Sequence, residues 1–125
     1  MARRIQITIA ILVASLPALS ASQSAISKAL ELWKPTSITI SNGRVLVVTR
    51  QRSVTDDMYQ AMVAGICMAE IGSPGSLGGI SEVAIVNAFS RQGFVIEGGS
   101  QECKELNDMP GNKTKLWILG KTHWL

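Results

Sequence analysis

Ser37-Ile38-Thr39-Ile40-Ser41-Asn42-Gly43-Arg44-Val45-Leu46-Val47-Val48-Thr49 is the stretch that decides the fold class. Polar and apolar residues alternate before Asn42-Gly43, and a Val-rich run follows it. Asn-Gly between such runs marks a two-residue type I′ turn, because both central positions need positive φ and these two residues tolerate it. A loop of that length pairs Ser41 with Arg44, Ile40 with Val45 and Ile38 with Val47. Ile38, Ile40, Val45 and Val47 then share one face, which should look into a core.

Working outward, Gln23 to Trp33 brings Ile26, Ala29, Leu30 and Trp33 to helical spacing, with Lys28 and Glu31 on the other side. Pro35 ends that helix, since the residue before a proline is pushed out of the helical region. After the hairpin, Thr55-Asp56-Asp57 supplies a hydroxyl N-cap and first-turn acids for a second helix. Its body, Met58 to Ala69, is apolar nearly all round and reads as the buried central helix. Gly72 to Gly79 reads as a loose connecting loop.

A second β pair follows: Ser81–Phe89, a turn at Ser90-Arg91-Gln92-Gly93 with Gly93 in the left-handed position, and Phe94–Glu97. Ser100 to Leu106 reads as a short helix and Lys115–Leu119 as a last strand. The fold class is α+β: an antiparallel sheet of two hairpins plus a C-terminal strand, packed against a central buried helix and an N-terminal helix.

The first residues carry the signal for destination. Met1-Ala2-Arg3-Arg4 is cationic, Ile5 to Leu19 is apolar, and Ala18-Leu19-Ser20-Ala21-Ser22 is small. A charged start, an apolar run and small residues at the cleavage subsites make an export signal. Residues 1–22 are therefore assigned to a signal peptide, with cleavage between Ser20 and Ser24, and 23–125 to a single small domain. The destination is the periplasm in a Gram-negative host and the outside otherwise. The apolar run is short of the roughly 20 residues that a spanning helix prefers, so no stable membrane span is expected once the signal is removed.

At 125 residues the chain is too short for a multidomain enzyme, and 46% hydrophobic against 17% charged excludes disorder. Without Arg3 and Arg4, 10 cations face 9 acids. Nucleic acid binding has no electrostatic support in that balance.

Two cysteines, Cys67 and Cys103, make an even count in an exported chain and read as one disulfide joining the central helix to the short late helix. They lack Cys-x-x-Cys spacing for redox work and the partners for a four-ligand metal shell, so neither a metal nor another cofactor is expected. His123, the one histidine, reads as an exposed tail residue. Glu70, Glu82, Glu97, Glu102 and Glu105 read as capping and solubilising acids. Arg44, Arg50 and Arg52 fall at even spacing and read as cations on one strand face.

The sequence contains no visible nucleophile–base pair, and its leading reading is a non-catalytic binding or structural role with an unknown protein or envelope partner. Two alternatives accompany it: a membrane-anchored accessory subunit that keeps its N-terminal segment, and a small hydrolase-type enzyme with an acid-based site. The partner-binding residues suggested by composition are Lys115, Trp117, Lys121 and Trp124. Two of the three tryptophans and three of the six lysines, Lys113, Lys115 and Lys121, lie between Asn112 and Leu125. Read as a strand, Lys115, Trp117 and Leu119 share a face, and Trp124 lies beyond it.

Overall fold

The computed structural model describes residues 21–125, so the export segment up to Ser20 lies outside the described residues. Helix α1 (Ala21–Ala29) buries Ile26, and Leu30 follows it into the core. A single 3₁₀ turn (Glu31–Trp33) and a left-handed Lys34 at φ 47° close the segment before Pro35.

Strands β1 (Ser37–Ser41) and β2 (Arg44–Val48) pair in the register that the Asn-Gly turn dictates. Asn42 and Gly43 have φ of 51° and 77°, as a type I′ turn requires. A Cβ at Gly43 would lie 2.9 Å from the Gly79 carbonyl oxygen, so this turn also needs glycine for close approach. Val45 and Val47 are fully buried, with Ile38 and Ile40 packed against the core beside them.

Helix α2 (Asp56–Gly72) starts where the sequence indicates: the Thr55 hydroxyl accepts the Met58 N–H at 3.3 Å, and Asp56 and Asp57 occupy the first turn. The helix is one-sided, however. Tyr59, Met62, Val63, Ile66, Cys67 and Glu70 form the buried stripe, while Ala61, Ala64 and Met68 are exposed. Alanine contributes to apolar composition without demanding burial, which is why the run reads as buried all round.

Strands β3 (Glu82–Val86), β4 (Gly93–Glu97) and β5 (Thr122–Trp124) complete a five-stranded sheet in the order β1-β2-β3-β4-β5. The chain is α+β as read. Three of the four strand pairs, β1·β2, β3·β4 and β4·β5, are antiparallel, but β2 and β3 run parallel. A parallel neighbour needs a long crossover, and α2 provides it. One sheet face, carrying Val45, Val47, Val83, Ile85, Phe94 and Ile96, meets α1, α2, α3 (Ser100–Asn107) and Ile118 in a single core.

Several local readings are corrected. Lys115–Leu119 is not a strand: helix α4 (Thr114–Gly120) occupies it, and the C-terminal strand is β5. A short apolar run has no periodicity that separates the two states. Here Thr114 donates to the Gly111 carbonyl at 2.9 Å, a 3₁₀ turn leads straight into the helix, and Ile118 alone reaches the core fully.

Strand β3 stops at Val86, short of Phe89, because Asn87 takes over the backbone. Its Oδ1 accepts from Arg91 and Gln92 N–H, and its Nδ2 donates to the Arg52 carbonyl at 2.9 Å. Ser90, at φ 55°, takes the left-handed position assigned to Gly93. Gly93 is instead the first residue of β4, where a Cβ would strike the Ile85 carbonyl and Val86 Cα. Of the three arginines read as one strand face, only Arg44 is in a strand; Arg50 donates to the Lys34 carbonyl at 2.7 Å.

The Gly72–Gly79 stretch is a loop, but not a loose one. The Glu70 carboxylate, 1% exposed, accepts the N–H of Gly75 at 2.8 Å and of Leu77 at 2.7 Å. Burial alone would raise the Glu70 pKa. The two backbone donors, the Ser100 hydroxyl and the charge of Lys104 outweigh it, leaving the carboxyl below its ordinary value. One turn earlier, Cys67 forms the disulfide with Cys103 of α3, Cα to Cα 4.9 Å, as read.

Two stability outcomes follow from this seam. A Cys67→Ser/Cys103→Ser variant, measured by urea denaturation, should lose about 3–4 kcal/mol, since the bond closes a 36-residue separation. Glu70→Gln should cost about 1.5–3 kcal/mol, the range for hydrogen bonds to a charged group. Because the folded Glu70 pKa lies below its unfolded value, its contribution is complete above the unfolded pKa and disappears as pH falls through the folded one. Thermal midpoints measured against pH should therefore fall less steeply on the acid side in Glu70→Gln than in the wild type.

Candidate functional site

The strand register decides which polar side chains meet. Cross-strand partners Arg44↔Glu82 and Glu82↔Glu97 fall in one row on the sheet face turned away from the core. His123 on β5 is opposite Val95 on the same face. The row is bound together: Arg44 Nε lies 3.1 Å from Glu82 Oε1, and His123 Nε2 lies 2.8 Å from Glu97 Oε1. Glu82, Glu97 and His123 each bring one donor atom within 4.8 Å of the others. His123 is thus part of the sheet, and Glu82 and Glu97 face each other with basic partners, contrary to the tail and solubilising readings. Only the β3·β4 register could have revealed this pairing.

His123 has both ring nitrogens engaged. Nδ1 meets the Trp124 carbonyl at 2.9 Å and Nε2 meets Glu97. Two acceptors favour the doubly protonated ring, so the Trp124 carbonyl first and the Glu97 carboxylate next raise its pKa above the ordinary value. Chemically the row is a charge-matched ladder: Arg44 serves one carboxylate and His123 the other. An oxygen–nitrogen donor set of this kind suits a divalent cation by type. Arg44 and Glu82 border an open depression on this sheet face together with Thr39, Ser41, Leu46, Val86 and Leu125.

A second concentration of unusual side chains lies at the corner made by α4 and β5. Among the described residues, the large apolar side chains that remain exposed include Leu116 (74%), Trp124 (73%), Leu125 (50%) and Leu119 (41%), all within the last ten positions. Helix spacing explains the first and last of these: Trp117 and Ile118 turn toward the core, leaving Lys115, Leu116 and Leu119 outside. Leu119 and Trp124 line one shallow dent with Phe94, Thr122 and Asp56.

The structure thus separates the four residues that composition suggested for partner binding. Lys115 and Trp124 are exposed. Trp117 is half-buried and packs against the core, with Lys121 Nζ 5.5 Å from its ring centroid. Leu116 and Leu119 escape a strand-based reading, which put Leu116 on the opposite face from Lys115. Trp124 belongs to β5, opposite Phe94, with their ring centroids 5.1 Å apart.

The corner is anchored from beneath. The Thr122 hydroxyl donates to the Ile118 carbonyl at 2.6 Å, so Tyr59 donates its own hydroxyl to Thr122 Oγ1, also at 2.6 Å. Burial pushes the Tyr59 pKa up to about 12. No helix among the described residues is long and apolar enough to cross a membrane.

Comparison with known proteins finds no match. Neither a family model, nor a curated protein, nor a solved structure is similar to this chain.

The sign of the His123 effect is testable. Its folded pKa exceeds the unfolded one, so its contribution is complete below the unfolded pKa and is lost as pH rises through the folded value. An NMR titration of the ring should give a midpoint above the ordinary histidine value of about 6.5. Glu97→Gln should lower it, and an unchanged midpoint would remove Glu97 from the account.

Proposed function

We propose that this chain is a small exported protein with a non-catalytic binding role, and that the α4–β5 corner is its docking surface. The observation that carries the reading is the grouping of exposed Leu116, Leu119 and Trp124 at one corner, Leu119 and Trp124 lining one dent and Leu116 lying three positions before Leu119 on α4. Exposed leucine and tryptophan side chains cost solubility, and a contiguous group of them is usually kept for contact. The rigid Tyr59–Thr122–Ile118 anchor supports the same reading, because a docking surface works best on a held backbone.

Export is supported by two independent features. The cationic–apolar–small order of residues 1–22 is that of a removable signal. The Cys67–Cys103 bond suits an oxidising compartment, the periplasm in a Gram-negative host or the exterior elsewhere. Against catalysis stands the chemistry of the charged row. Glu82 and Glu97 are each committed to a cation on an open face, which suits strand cohesion better than acid–base work.

Fractionation of the expressing cells tests the reading. The mature N-terminus, by mass spectrometry, should fall between Ala21 and Ala25. The wild-type chain should be recovered bound to envelope material, and Leu116→Ser/Leu119→Ser should be recovered free, with an unchanged thermal midpoint. A chain retaining Met1 or Ala2 in the membrane fraction would replace this reading with a membrane-anchored accessory subunit. A wild type that is wholly free would remove the docking surface.

A further inference from the structure

Resting on the reading of the α4–β5 corner as a docking surface, we propose that it docks on an anionic lipid bilayer surface. The first observation is the shape of the contact. Leu116 and Trp124 keep about three-quarters of their area free, and the one dent that Trp124 borders is shallow, so both stand out from the fold and are not sunk in a deep groove. A projecting leucine or indole is suited to a fluid layer, which closes around any outline. A protein interface instead depends on packed pockets and matched shape over roughly 800 Å² per partner.

The second observation is the placement of charge. Lys113, at the end of the 3₁₀ turn, and Lys115, in the first turn of α4, both lie just before Leu116, and Lys121 follows the helix end. Among the described residues neither Lys113 nor Lys115 is in an ion pair, although the four ladder groups on the sheet face are all paired. Unpaired ammonium groups beside projecting apolar side chains match the two layers of a bilayer boundary. The leucines and Trp124 reach the acyl region while the lysines stay with the phosphates. Trp124 is amphipathic in the manner of the aromatic residues that collect at such boundaries.

The third observation concerns strength. The described residues carry 10 cations against 9 acids, so the protein as a whole is not drawn to a negative surface. Attraction has to come from Lys113 and Lys115, since Lys121 lies over the Trp117 ring and near the Glu102 carboxylate. Asp56, which lines the dent with Leu119 and Trp124, works against it. The attachment is therefore reversible, salt-sensitive and dependent on both the leucines and the lysines.

Co-sedimentation with vesicles of phosphatidylcholine, with and without phosphatidylglycerol, tests this. Because Ile5 to Leu19 is apolar too, wild type and variants must share one N-terminus, verified by mass. The expected result is binding only where phosphatidylglycerol is present, reversed by high salt. Leu116→Ser/Leu119→Ser should weaken it about tenfold or more, given the value of burying one leucine. Lys113→Glu/Lys115→Glu should abolish the preference for phosphatidylglycerol. All four positions are exposed, and an unchanged thermal midpoint shows that the fold is intact. Equal binding to both vesicle types, no binding to either, or binding indifferent to the leucines overturns the proposal. If vesicles are ignored while the envelope association in cells still requires Leu116 and Leu119, the docking surface stands. The bilayer is then replaced by a protein occupant.

Discussion

One buried carboxylate organises the crossover on which the sheet depends. Strands β2 and β3 run parallel, so the chain must leave one end of the sheet and return to the other through α2. Glu70, in the last turn of that helix, accepts the N–H groups of Gly75 and Leu77 and turns the chain back toward β3. Ser100 and Lys104 of α3 contribute to the same charge, so the carboxylate links helix, loop and helix. A buried carboxylate without such partners would be expensive, and two backbone donors plus a nearby ammonium offset its desolvation. The disulfide acts one turn away on the same seam, holding α3 against α2 by a covalent route.

What the sequence discloses follows the range of the interaction. The Asn42-Gly43 turn, the Thr55 cap and the one-face pattern of Val45 and Val47 are local, and the structure has them as read. Cys67 and Cys103 were legible despite their separation because there was only one pairing to make. Glu70 was not legible: a glutamate near a helix end looks like any solvated acid until its loop folds over it. Gly93 was read for its φ freedom when its task is to leave room for the Ile85 carbonyl on the neighbouring strand. The same limit hid the Arg44–Glu82–Glu97–His123 row, whose members come from four strands and are neighbours only through the register.

The tail shows how one wrong state can conceal a surface. Lys115 to Leu119 read as a strand spreads its side chains over two faces at period two, with Leu116 and Ile118 together. As a helix it turns Trp117 and Ile118 inward and leaves Leu116 and Leu119 outside, three positions apart on one side. Composition located the right region because tryptophan and lysine are concentrated there. Which of them face outward depends on backbone state, and short apolar runs leave that state open to the packing around them.

Strand β5 joins the two surfaces through three consecutive side chains. Thr122 points inward and receives the Tyr59 hydroxyl, His123 points to the open sheet face and meets Glu97, and Trp124 turns back to rest on Phe94. The period of two puts the first and third on the core side and the second on the other. Holding His123 therefore also sets the edge from which Trp124 projects. Loss of the ring proton weakens the attachment of that edge at Glu97, while the Tyr59–Thr122 bond is untouched by the same change in pH because Tyr59 titrates near 12. Across the physiological range the neutral bond holds Thr122 independently of pH, and within β5 the pH dependence is confined to the His123–Glu97 contact.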